Sequence, residues 1–419
     1  MTCQKDLLPN GIRIVTEAIP HVRSVAVGIW VETGSRVEPE SRGGISHLIE
    51  HLVFKGTDTR SAEAIASAID SVGGQMDAFT AKEHTCFYVS VLDDHLTLAV
   101  DLLTDILMHP LFAASDIEKE KSVVLQEIKM VEDTADDLVH DLFAERVWAG
   151  HPLGRPILGR WDVVRDLQRE VILRHFEEEY APARIVVAAA GHLEHARVVD
   201  LFATRFNGFR REAATRQSAP PTIHPGVHVV SKPLEQVHLV LGFPGIAEAS
   251  PERYALYLLN DVIGGSMSSR LFQEVRERQA LAYSVHSGAQ SYRDTGLLYI
   301  YAGTDAGNFA KVVRALMKEL RALKKDGVRA EELKRAKEHL KGSLMLSLES
   351  TSSRMNRVAK QELRFGAFLS LDEMLGAIDR VRPEEVEALT ERILDERQLS
   401  LLTLGPIDRR NLPHELAVS

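Results

Sequence analysis

The strongest constraint on the fold is that the chain runs through the same order of elements twice. Val25-Ala-Val-Gly-Ile-Trp-Val31, followed by a glycine turn, recurs as Val237-His-Leu-Val-Leu-Gly-Phe243, and Ile185-Val-Val-Ala-Ala-Ala-Gly191 recurs as Leu399-Ser-Leu-Leu-Thr-Leu-Gly405. The offsets, from 25 to 237 and from 185 to 399, nearly agree, which marks a tandem duplication. Between these strands each half carries helical periodicity, over 61–72, 96–108 and 116–148 in the first and over 308–325 and 331–346 in the second. Strands mixed with segregated helical runs predict an α+β fold. It consists of two duplicated α/β sandwiches, each a mixed, mainly antiparallel sheet with helices packed on it. The polar, proline-bearing stretch Arg210–Gly226 is the expected linker. It gives a first domain over 1–217, a linker over 218–226 and a second domain over 227–419.

Composition narrows the function classes. With 45% hydrophobic residues over 419 positions, the chain can fill two cores, so disorder is excluded. A formal charge of -10 leaves no basic field for phosphates, so neither nucleic acid nor an anionic membrane surface is an expected partner. The apolar block Ile185–Ala190 is far shorter than the ~20 residues of a membrane helix, and no apolar run follows Lys5 as in a secretory signal. Cys3 and Cys86 are too few for a disulfide framework, which suits a reducing, cytoplasmic setting.

The chemistry-bearing segment is His47-Leu-Ile-Glu-His51. Two histidines four apart on a helix lie about 40° apart around its axis, so both imidazoles can reach one metal ion. Glu50 projects to the same side. This is the inverted zincin arrangement, in which the glutamate is not a ligand but takes a proton from the metal's water. The bare motif is equally compatible with a helix carrying two surface or core-satisfied histidines. A catalytic zinc also needs a third protein ligand. The helical pattern that opens at Ser115-Asp-Ile-Glu118, a capping-box sequence, has an apolar stripe at Ile117, Val124, Ile128 and Val131. Glu120 and Glu127 fall inside that stripe, where carboxylates cost stability unless paired or bound to metal. Their neighbours Glu118, Glu132 and Asp133 leave a solvated acidic helix as the competing reading. In the duplicated half the corresponding positions are Leu333 and Leu340, although a shift of one residue would place polar residues there.

Gly43-Gly-Ile-Ser-His-Leu-Ile-Glu-His-Leu-Val-Phe-Lys-Gly-Thr57 resembles the signature of the pitrilysin family of inverted zincins, in its branch containing the mitochondrial processing peptidase. The resemblance extends over Gly150-His-Pro-Leu-Gly-Arg-Pro-Ile-Leu-Gly159 and Ser269-Arg-Leu-Phe-Gln-Glu-Val-Arg-Glu-Arg-Gln-Ala-Leu-Ala-Tyr283, and so over essentially the whole chain. It implies a zinc endopeptidase with one Zn2+ per chain, held by His47, His51 and Glu127 and supported by Glu120, with Glu50 as general base. It implies that Arg276 and Tyr283 point at a peptide substrate, and that two chains pair as a clamshell around a closed chamber. A homodimer is then the simplest assembly, each site being finished by the other chain's Arg276 and Tyr283.

The substrate is expected to add as a strand to an exposed sheet edge, for which Asp77, Ala78, Phe79 and Thr80 and the alternating 84–91 segment are candidates. Asp77 departs from the asparagine common in relatives and adds a carboxylate beside the cleft. Two rivals remain: a non-catalytic scaffold subunit, which would typically lack a ligand or the glutamate, and a processing enzyme that needs a heterologous partner.

Overall fold

The computed structural model describes residues 3–216 and 219–413. Residues 217 and 218, where the expected first domain ends and the linker begins, lie outside the described residues. The first sheet contains β1 (Cys3–Leu7), β2 (Arg13–Ala18), β3 (Ser24–Val31), β4 (Gln75–Thr80), β5 (Thr85–Leu92) and β6 (Ile185–Gly191), in the order β1-β2-β6-β3-β5-β4. The second contains β7 (Gly226–Ser231), β8 (Val237–Pro244), β9 (Ser284–Ser291), β10 (Gly296–Thr304) and β11 (Ser400–Gly405), in the order β7-β11-β8-β10-β9. Apart from the extra β1, the two orders are the same. Each sheet has one parallel pair at the same place, β2 with β6 and β7 with β11, and antiparallel neighbours elsewhere. The α+β duplication read from the repeated strands is therefore the fold of the chain.

Alternation along β3 sorts its side chains to two faces. Val25, Val27, Ile29 and Val31 join one core with residues of α1 (Ile45–Leu52), α2 (Ala62–Asp70), α3 (Leu96–Met108) and α4 (Ala114–Asp133). Ala26 and Trp30 face the other side, where Met355, Val358 and Ala359 of helix Thr351–Phe365 cover them. Arg354 and Arg357 of that helix bind the buried carboxylate of Glu17 at 3.0 and 2.9 Å. In the second sheet the corresponding cover is α5 (Ala135–Val147), whose Val139, Phe143 and Val147 pack with Val240, Leu402 and Leu404.

Each sheet thus takes one covering helix from the other half of the sequence. The compact units are Met1–Lys129, Arg155–Ser218 and Leu346–Phe368 for the first, and Met130–Gly154, Ala219–Met345 and Leu369–Ser419 for the second. A single cut at the linker does not describe them, because α5 and helix Thr351–Phe365 bury their apolar faces against the opposite sheet. The helical run expected over 116–148 is accordingly two helices, divided at Thr134, whose φ of -95° and ψ of 94° leave the helical region. Helix α4 begins at Ala114, so Ser115 lies in its first turn and is not its cap.

Candidate metal centre

Local sequence builds α1 from both ends of its first turn. Gly44, just before the helix, has φ of 90°, and a Cβ there would stand 2.4 Å from the Leu158 carbonyl oxygen. Gly159 mirrors it: φ is 78°, and a Cβ would meet the Gly43 oxygen at 2.3 Å. Only glycine fits either position. The free N–H groups of the first turn go to Glu38, whose buried carboxylate accepts from Gly44 N at 2.7 Å and Ser46 N at 2.8 Å. A negative charge at a helix N-terminus is favourable and satisfies donors that the helix itself cannot. Burial pushes the Glu38 carboxyl above its ordinary range, against the lowering effect of the hydrogen bonds from Ser46 and Gly44. Ile45, Leu48, Ile49 and Leu52 of α1 are buried in the core, which turns His47, Glu50 and His51 to the opposite side.

Those side chains meet α4. Glu127 Oε2 lies 3.8 Å from His47 Nε2 and 3.7 Å from His51 Nε2, and the imidazole rings are 4.7 Å apart edge to face. One ligand atom from each of His47, His51 and Glu127 falls within 4.8 Å of the others. Glu127 Oε2 is buried without a hydrogen-bond partner among the described residues, which is costly unless a cation satisfies it. Burial, and then the neighbouring His51, hold His47 at a pKa of about 4, so its ring is neutral and can donate a lone pair. Two imidazoles and a carboxylate suit zinc. Behind this set, the buried Glu120 places Oε2 3.2 Å from His51 Nδ1. Glu50 stands beside the trio and accepts a hydrogen bond from Thr80 Oγ1 at the end of β4. Burial raises the Glu50 pKa; the Thr80 bond and His51 oppose this, while the charges of Asp77 and Glu127 add to it.

The sequence matches the family described as Insulinase (Peptidase family M16) over residues 13–160 and the Peptidase M16 inactive domain over 166–340. It is 45% identical to a protein of Bacillus subtilis named an uncharacterized zinc protease, with 86% of each chain covered. A Streptomyces coelicolor protein of the same description is 43% identical over 97% of this chain and 90% of its own. The chain belongs to peptidase family M16. In fold, this M16 chain superposes on a Pseudomonas fluorescens peptidase M16 inactive domain with a TM-score of 0.91, at 19% identity over 97% of this chain and 98% of that one. A protease from Helicobacter pylori gives 0.90, also at 19% identity, over 97% and 99%.

Of the residues predicted for the site of this M16 chain, the structure gathers His47, His51, Glu127, Glu120, Glu50 and Thr80. Strand β4 is the edge of its sheet, but its residues divide between two faces. Ala78 packs on the α1 side, as Thr80 points there too, while Phe79 lies 6.4 Å from the Tyr88 ring on the other face. Asp77 accepts from the Tyr88 hydroxyl at 3.4 Å, so its carboxylate is turned from His47, His51 and Glu127. The alternating 84–91 segment is no edge: β5 is paired on both sides, by β3 and β4. Arg276 and Tyr283 lie in the second unit, with the guanidinium 4.6 Å above the phenol ring and Tyr283 79% exposed. Sequence reasoning missed Glu38 as the cap of α1, and missed the Gly44–Gly159 contact that explains why both glycine stretches are needed. The signal for the second was two glycines standing in separate motifs; for the first there was none at helical spacing.

Proposed function

We propose that this chain is a zinc-dependent endopeptidase that hydrolyses peptides bound in extended form. The convergence of His47, His51 and Glu127 within 4.8 Å, with Glu50 held beside them by Thr80, carries this reading. When bound, zinc supplies Lewis acidity, lowering the pKa of a water molecule and balancing negative charge on the peptide carbonyl. Thr80 occupies Glu50 Oε2, which leaves Oε1 to accept the proton of the attacking water and return it to the leaving amine. The raised Glu50 pKa brings that carboxylate closer to the range in which it can both take and give the proton.

The peptide adds to the free edge of β4, where backbone pairing supplies affinity without demanding one sequence. Arg276 and Tyr283, stacked and exposed, donate to the substrate from a second copy of the chain, in a homodimer of the mitochondrial processing peptidase type that closes a chamber around it. A cytoplasmic location is supported by the free thiols of Cys3 and Cys86. No helix among the described residues is long and apolar enough to cross a membrane.

The test begins with metal analysis of the purified chain, which is expected to hold one zinc. Glu50→Gln should keep the metal and lose about 10²–10⁴-fold in peptide hydrolysis. Unchanged hydrolysis in this variant, or no bound zinc in the parent, would refute the proposal. For the dimer, Glu50→Gln chains are mixed with Tyr283→Phe chains after each is shown to be impaired. Sharing of sites predicts partial recovery, and no recovery removes the shared site.

A further inference from the structure

The two histidines of the centre are not held alike. His51 presents Nδ1 to Glu120 Oε2 at 3.2 Å, whereas the buried Nδ1 of His47 has no hydrogen-bond partner among the described residues. A neutral His51 ring that donates Nδ1–H to Glu120 carries its lone pair on Nε2, the atom 3.7 Å from Glu127 Oε2. Orientation by a hydrogen-bonded partner therefore falls on one ring, and it depends on where the Glu120 carboxylate points. That carboxylate has a second contact. Lys55 Nζ, four residues after His51, lies 2.9 Å from Glu120 Oε1.

We infer that Lys55 is a positioning residue for the metal centre, acting through Glu120 on His51. This rests on the zinc-site reading above. The two oxygens of Glu120 are divided between a cation and an imidazole, so the plane of the carboxyl group is fixed at both ends. Glu120 is buried while the Lys55 side chain is 38% exposed, so the ammonium stays hydrated on one side and the carboxylate is neutralised on the other. Without Lys55, the buried Glu120 keeps only the His51 contact among those described, and is free to rotate away from Nδ1 or to draw in water. Either change releases the His51 ring. The arrangement also explains why a lysine three residues past the motif helix is coupled to a glutamate far along the sequence: turns after α1 return Lys55 to the side that carries His51, as shown by the bond from Lys55 N to the Leu52 carbonyl.

The experiment measures zinc affinity of the full chain by competition with a chromogenic chelator, using zinc alone as the probe. Partners of this kind are worth about 10–100-fold in metal affinity. Lys55→Met should weaken zinc binding about tenfold, Lys55→Gln should do the same, and Lys55→Arg should restore most of it. Glu120→Gln should weaken binding by about 10–100-fold, and adding Lys55→Met to it should bring no further loss. A thermal melt of each metal-free variant separates loss of the site from loss of the fold, and Lys55→Gln replaces Lys55→Met if the latter does not fold. Unchanged affinity in the Lys55 variants overturns the inference. So does an equal tenfold loss in the Glu120→Gln background, since Lys55 would then act without Glu120. If the parent chain binds no zinc, the metal-site reading fails and takes this inference with it. If the parent binds one zinc and the Lys55 variants bind it equally well, only the inference fails.

Discussion

Helix α1 of the first unit and helix Arg253–Asn260 of the second occupy the same place in the duplicated fold, following β3 and β8 respectively. Aligned by their first residues, His47, Glu50 and His51 fall opposite Ala255, Leu258 and Leu259, all three buried in the second core. The same holds one layer on. Helix α4 turns Glu120 and Glu127 inward, where helix Ala330–Ser347 turns Leu333, Ala336, Leu340 and Leu344 to its core. One backbone arrangement therefore supports either a dry apolar seam or a cluster of imidazoles and carboxylates.

A buried leucine contributes about 1.5–3 kcal/mol, whereas an unpaired buried carboxylate costs at least about 1–3 kcal/mol. The chemistry of the first unit is thus held against the preference that shaped the second. What offsets it is visible at the edges of the cluster. Glu38 caps α1, Lys55 meets Glu120, and Thr80 meets Glu50.

Substitutions that exchange the two characters test this comparison. The largest effect is expected from placing catalytic-type polarity in the apolar copy: Leu258→Glu should destabilise the chain by about 3–5 kcal/mol, read from urea unfolding, because Leu258 is fully buried in an apolar core. A loss below about 1 kcal/mol would mean the second core is not dry at this helix. The converse change, Glu127→Leu, should abolish zinc binding yet raise the stability of the metal-free protein by about 1–3 kcal/mol, since a buried oxygen with no hydrogen-bond partner among the described residues is removed. A lower melting temperature than the metal-free parent would contradict this. Smaller still is Thr80→Val, which removes the hydrogen bond to Glu50 and should lower kcat about tenfold with zinc content and KM unchanged. A change in KM alone would assign Thr80 to substrate binding at the β4 edge instead.

The candidate site residues were legible in the sequence because they break rules that the rest of the helix obeys. Glu120 and Glu127 interrupt an apolar stripe, and His47 and His51 share a helical face. The duplication was legible because strand-length apolar segments repeat at a nearly constant offset. The exchange of α5 and helix Thr351–Phe365 was not, since amphipathic periodicity tells which face of a helix is buried but not which sheet receives it. Glu38 was hidden for a related reason: it caps α1 from a preceding loop, six and eight residues before the amides it binds, a spacing that no local capping pattern describes. Thr80 was seen as part of an edge strand, but its partnership with Glu50 depends on how β4 crosses beside α1, which only the assembled layers determine.

The exchanged helices bear on how the chain can be made. A ribosome releases β1 through β6 long before it reaches residues 351–365, yet Ala26, Trp30, Val186 and Ala188 wait for that helix to cover them. Until then, one face of the first sheet is apolar and open. A fragment ending near residue 216 lacks that helix and is expected to expose a surface prone to aggregate. Synthesis must pass residue 365 before the first unit, and with it the candidate metal centre, acquires its final support.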